Sequence, residues 1–163
     1  MFIYRKDILK KLILVCMLFL VMSGSSFAEE IKISNAWVDE SLPGQDTASI
    51  QFEIISRKDA KIIEVASGMA QNVEIHHVEI DGATMTMQKL GELNLPAKTP
   101  VEFDANGTHL MLIGLRKPLE VGHKLPFAIT VKFADGRTTI LRVLATIKPR
   151  IKEKRKDLKT TNA

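Results

Sequence analysis

Hydrophobic and polar residues alternate with a period of two along most of the chain from Ile31 to Ile147, a pattern typical of β-strands with one buried face. Pro-Gly, Asp-Gly and Asn-Gly dipeptides interrupt the alternation at several points and indicate turns. Many short strands without a helix to carry a parallel crossover favour an all-β fold, an antiparallel Greek-key β-sandwich or barrel. The pattern predicts strands near residues 31–38, 47–56, 60–66, 72–80, 83–90, 99–104, 108–113, 125–134 and 137–147.

The first 28 residues have the composition of a secretory signal peptide. A basic start precedes an uncharged apolar run of 11 residues, 12–22, and small residues end the segment at Ala28. Because a spanning helix needs roughly 20 residues, an uncleaved anchor is the less favoured alternative. Cys16 follows Val15 rather than a small residue, which is not typical of a lipoprotein attachment site. Cleavage before Glu29 would give a periplasmic protein with no cysteine and no stable membrane span.

Charge divides the remaining chain into a domain, residues 29–147, and a basic tail, residues 148–163. Of the overall charge of +4, the segment 1–28 contributes +3 and the tail +5, which leaves −4 on the domain. The tail has too little apolar surface to fold and is interpreted as a flexible extension. An overall surplus as small as +4 does not indicate binding to nucleic acid, because proteins that bind it carry concentrated basic faces.

One predicted hairpin contains candidate binding residues; it spans residues 73–88 and has the sequence VEIHHVEIDGATMTMQ. A two-residue turn at Asp81-Gly82 would place His76 directly opposite Met87, on the more apolar face of the hairpin. His77 would lie on the other, polar face, opposite Thr86. An imidazole and a thioether opposed in this way could bind one ligand together.

A second candidate pair lies in the predicted strand over residues 108–113. His109 and Met111 are two residues apart and therefore share one face of that strand. If the strand lies near the hairpin, two imidazoles and two thioethers could converge. The alternative is that these His and Met residues are structural, because Met commonly fills gaps in cores and an isolated His is often only hydrogen-bonded. His123, in a predicted loop, is interpreted as a surface residue.

The spacing of these four residues resembles the H-x10-M-x21-H-x-M signature of the PCuAC-type periplasmic copper chaperones. The strings VEIH, HLMLIGLRKPLEVGHKLPF and VKFADG are similar to that family as well, and the resemblance covers about residues 31–143. It implies a cupredoxin-like β-sandwich that binds one Cu(I) through His76, Met87, His109 and Met111. It also implies delivery of copper to enzymes such as the CuA centre of cytochrome c oxidase, with subunit II of that oxidase or a related assembly factor as the acceptor. We expect a monomer.

The chemistry of the donors agrees with this resemblance. Thioether sulfur is a soft donor that suits Cu(I), whereas zinc, magnesium and calcium sites use harder donors. A blue-copper electron carrier needs a cysteine thiolate, which the mature chain would lack. No nucleophile elbow, HExxH motif or phosphate loop is present, so the sequence indicates that the protein is not an enzyme. The alternatives are a secreted β-sandwich recognition module without metal and a protein that sequesters copper.

Overall fold

The computed structural model describes residues 30–81 and 84–150, in which all regular secondary structure is β-strand. None of these residues belongs to a helix long and apolar enough to cross a membrane. The predicted signal peptide and residues 151–163 of the predicted tail lie outside the described residues. The ten strands are β1 (Ile31–Asp39), β2 (Thr47–Ser56), β3 (Ala60–Ala66), β4 (Ala70–Asp81), β5 (Thr84–Leu90), β6 (Leu93–Leu95), β7 (Pro100–Phe103), β8 (Thr108–Leu115), β9 (Lys124–Phe133) and β10 (Thr138–Lys148).

The strands form one sheet that wraps around a single hydrophobic core. Their order is β5-β4-β8-β2-β1-β10-β9-β3-β6, and β7 also pairs with β2. Ile75 from β4 and Ile62 from β3, near opposite ends of this order, belong to the same core cluster. Phe52 of β2 stacks on Phe103 of β7 with ring centroids 4.1 Å apart, which joins strands within that core. The predicted all-β sandwich is therefore confirmed.

Two features of the sheet differ from the sequence prediction. The strands are not all antiparallel, because β1 pairs in parallel with β10 in the register Trp37 to Thr146. Alternation along a strand reveals which residues share a face but not the direction of a distant neighbour, so this pair could not be predicted. The short strand β6 was also missed, because three residues are too few to show alternation.

The last strand runs slightly beyond the predicted end of the domain at residue 147. Lys148 is the final residue of β10, and its Nζ atom lies 4.5 Å from the centroid of the Trp37 ring. The Arg150 guanidinium donates a hydrogen bond to the side chain of Gln45 at 3.1 Å. These contacts place Lys148 and Arg150, the beginning of the predicted tail, against the body of the fold.

Candidate metal centre

The candidate residues lie on the face of the sheet that points away from the hydrophobic core. Strands β4 and β8 are antiparallel neighbours, and their core-facing residues include the pair Ile75 and Leu110. The next pair along the same ladder is His76 and His109. Because alternate residues of a strand point to opposite faces, these two imidazoles share the outer face. Both imidazoles therefore lie on the face opposite the core residues Ile75 and Leu110.

The hairpin of β4 and β5 brings His76 to Met87, although not in the predicted register. His76 pairs with Lys89, and Met87 pairs with Val78, so β5 is displaced by two residues from the predicted alignment. The observed register places Leu90 opposite Ile75, which pairs two residues that pack in or against the core. A displacement of two residues preserves which side chains share a face.

Met87 is thus a diagonal neighbour of His76 rather than a direct one. The Nδ1 atom of His76 lies 3.1 Å from the Sδ atom of Met87. Donors bound to one metal ion at about 2.0–2.3 Å lie roughly 3–4 Å from each other. The imidazole and the thioether are therefore close enough to coordinate the same ion.

His109 provides a buried imidazole beside this pair. Its ring is T-shaped to that of His76, with centroids 5.9 Å apart, and the residue is 2% exposed. Burial lowers the pKa of the His109 imidazole, and the nearby His76 acts in the same direction, whereas the main chain at Gly107 and Asp104 opposes this shift. A lowered pKa favours the neutral ring, which is the form that metal coordination requires.

The Nδ1 atom of His109 is buried and has no hydrogen-bond partner among the described residues. A buried polar atom without a hydrogen-bond partner lowers the free energy of unfolding by about 1–3 kcal/mol. Such atoms are therefore rare in folded proteins and often belong to functional sites. A metal ion bound by this nitrogen would remove that cost. The residues present therefore fit the metal that the sequence predicts.

Met111, the fourth predicted ligand, occupies the same face two residues after His109. It pairs with Glu74 on β4 and with Ser49 on β2. The Ser49 hydroxyl donates a hydrogen bond to the Met111 Sδ atom at 3.7 Å. Met111 therefore lies on the same face as His76 and His109, and its sulfur contacts β2.

Two residues that the sequence analysis did not select also belong to this surface. Glu74 accepts hydrogen bonds from the Nε2 atom of His76 at 2.9 Å and from the Nζ atom of Lys89 at 2.7 Å. Lys89 and His76 hold the pKa of the Glu74 carboxyl below its usual value. The signal in the sequence was the spacing of two residues between Glu74 and His76, which places both side chains on one face of β4.

The other candidate residues lie away from this cluster. The Nδ1 atom of His77 lies 2.9 Å from the Thr108 hydroxyl, and the residue is exposed on the opposite face of β4. His123 is exposed near Glu120. Met69 is partly buried and packs against the hydrophobic core. In the part of the chain that the structure describes, no group of three or more His, Cys, Asp or Glu residues could hold a metal ion.

Exposure is uneven across the cluster. Met87 is 53% exposed, whereas His109 is 2% exposed. Because β5 is the outermost strand on this side of the sheet, Met87 lies at the edge of the fold. The solvent exposure of the candidate donors therefore decreases from the accessible Met87 thioether at the sheet edge to the buried His109 imidazole on β8.

Solved structures share this fold. The chain is 20% identical to the "Copper-bound PCuAC domain from PmoF2", with a TM-score of 0.60, and the match covers 74% of this chain and 94% of that one. It is 27% identical to CuI-DR1885 from Deinococcus radiodurans, with a TM-score of 0.57, over 79% of this chain and 85% of that one. The fold is thus the cupredoxin-like β-sandwich of PCuAC domains, and the predicted resemblance to that family is confirmed.

The amino-acid sequence also matches a known protein family. Residues 31–144 match the family described as "Putative lipoprotein LpqE-like", and the chain belongs to this family. It is also 28% identical over 117 residues to "Putative lipoprotein Lxx21020" from Leifsonia xyli subsp. xyli, which covers 71% of this chain and 69% of that protein.

Proposed function

We propose that the protein is a periplasmic copper chaperone that binds one Cu(I) ion through His76, Met87, His109 and Met111. The observation that carries this proposal is the 3.1 Å approach of His76 Nδ1 to Met87 Sδ, beside the buried Nδ1 of His109, for which the described part of the chain supplies no hydrogen-bond partner. Two similar proteins of known structure are described as copper-bound or CuI forms. Soft thioether sulfur together with neutral imidazole is a donor set that favours Cu(I).

Delivery of the ion, rather than permanent storage, is supported by the exposure of the cluster. Met87 is 53% exposed and lies on an edge strand, so a donor from a partner protein could replace its sulfur while the buried His109 still holds the ion. We propose the CuA site of cytochrome c oxidase subunit II, or a related assembly factor, as the acceptor. Nothing in this role requires catalysis by the protein.

The first test is copper stoichiometry and coordination. We expect the purified protein to bind one equivalent of Cu(I) in an anaerobic titration against a chromophoric chelator. X-ray absorption at the copper edge should then show two nitrogen and two sulfur neighbours, because the proposed ligands are two His and two Met. A first shell of nitrogen and oxygen alone would exclude both thioethers and overturn the ligand assignment.

Transfer itself can be measured separately from binding. Cu(I)-loaded protein should pass its copper to an isolated apo CuA domain, as followed by the metal content of the two proteins after they are separated. Retention of the copper under these conditions, together with tight binding in the titration, would instead support the sequestering alternative.

Export is the second part of the proposal. The names of the family and of the Leifsonia relative describe lipoproteins, which are exported, and the N-terminal sequence has the pattern of a signal peptide. We expect the exported protein to begin at Glu29, which the intact mass of protein isolated from the periplasmic fraction would show. A membrane-associated form that begins with a lipid-modified Cys16 would contradict this expectation.

A further inference from the structure

We propose that Glu74 is a positioning residue that fixes the His76 ring with its proton on Nε2, so that Nδ1 is the nitrogen available to a metal. The consequence for Cu(I) rests on the proposed function. The geometry that points to this role is the chain of contacts from Lys89 through Glu74 to His76 and Met87.

The two nitrogens of His76 have different partners. Nε2 lies 2.9 Å from Oε2 of Glu74, and Nδ1 lies 3.1 Å from Sδ of Met87. An ionised carboxylate only accepts hydrogen bonds, so the Nε2 atom must carry the proton of this contact. In a neutral imidazole the other nitrogen then has a free lone pair. That lone pair points to the side of the ring where the thioether lies.

Glu74 is itself held in place by a second hydrogen bond. Its second oxygen, Oε1, accepts a hydrogen bond from Lys89 Nζ at 2.7 Å. Lys89 pairs with His76 across β4 and β5, and Glu74 pairs with Met111 across β4 and β8. The side chain of Glu74 is 21% exposed. A carboxylate fixed in this way orients the ring of a metal-binding His, and loss of such a partner typically lowers metal affinity by about 10–100-fold.

Nitrogen NMR of the metal-free protein tests the first part without copper. Long-range ¹⁵N–¹H correlation spectra at neutral pH should show His76 with its proton on Nε2. In Glu74→Ala, which has no acceptor, the ring should become a mixture of both forms. Glu74→Gln retains an oxygen acceptor and should retain the wild-type form. A wild-type ring with its proton on Nδ1, or an unchanged ring in Glu74→Ala, would overturn the proposal.

Cu(I) affinity tests the second part. Glu74→Ala should bind Cu(I) at least tenfold more weakly than the wild type, and Glu74→Gln should stay within a few-fold of it. Glu79→Ala is the matched control, because Glu79 is an exposed carboxylate of the same strand that contacts Gln88 instead of a histidine. We expect that control to bind within twofold of the wild type. Glu74→Leu, which fills more of the space, repeats the measurement if Glu74→Ala does not fold.

These results separate the present proposal from the proposed function. If the wild type binds no Cu(I), the chaperone proposal fails while the NMR spectra still decide the role of Glu74 toward His76. If the wild type binds Cu(I) and Glu74→Ala binds it equally well, the positioning role is wrong and the chaperone proposal stands.

Discussion

Replacement of His76 by alanine is expected to weaken Cu(I) binding at least tenfold, whereas His77→Ala should leave the affinity within a few-fold of the wild type. The two imidazoles are adjacent in β4 and therefore point to opposite faces of the sheet. His76 lies 3.1 Å from the Met87 sulfur, while His77 contacts the Thr108 hydroxyl on the other face. A tenfold loss corresponds to about 1.4 kcal/mol of binding free energy, which is modest for the removal of one of four ligands. Competition with a Cu(I) chelator under anaerobic conditions measures both variants.

The pair His76 and His77 offers an internally matched comparison. Both substitutions remove the same chemical group from neighbouring positions of one strand, so general effects of imidazole loss should be similar. Circular dichroism of each variant would verify that the β-sheet is retained. Equal losses of affinity from both substitutions would mean that the register is slipped or that a bulge turns His77 into the site, and would contradict the assignment of His76 alone.

The side-chain faces of the candidate site could be predicted from the sequence because strand geometry alone determines them. Residues two apart share a face, which correctly grouped His109 with Met111 and separated His76 from His77. The hairpin register could not be predicted in the same way. Asp81 pairs with Thr84 instead of forming the predicted two-residue turn with Gly82. The register is associated with the pairing of Ile75 and Leu90 at the core, a tertiary effect that the turn dipeptide does not reveal.

The pairing of strands that are distant in sequence could not be predicted from the alternation of hydrophobic and polar residues. The pairing of His76 with His109 joins β4 to β8, and no local signal specifies which strand lies next to the hairpin. The same holds for the parallel pair of β1 and β10. The role that we propose for Glu74 could not be predicted from the sequence for another reason. In the sequence it is one of 19 acidic residues. Its spacing from His76 predicts a shared face of β4, but only the structure shows that its two oxygens contact His76 and Lys89.

Metal binding should also protect the proposed thioether ligands from oxidation. In the metal-free protein, peroxide should convert Met87 to its sulfoxide rapidly, because this residue is 53% exposed. A bound soft cation occupies the sulfur lone pair with which the thioether attacks the peroxide oxygen. We therefore expect oxidation of Met87 and Met111 to be slowed at least about tenfold in the loaded protein. Silver(I) is the appropriate probe, because it is a soft monovalent cation like Cu(I) but does not itself react with peroxide in a redox cycle.

Peptide mass mapping after peroxide treatment distinguishes the two sulfurs, with Met69 as the internal control. Met69 packs against the hydrophobic core rather than on the outer face, so its oxidation should be the same with and without silver. Protection of Met87 alone would restrict the site to three donors and leave the Met111 sulfur with the Ser49 hydroxyl, at the 3.7 Å contact that the structure shows. Equal oxidation of both Met87 and Met111 in the loaded and metal-free proteins would show that neither thioether is a ligand. The remaining imidazoles would then give no preference for Cu(I) over Zn(II), since neutral imidazole suits both ions.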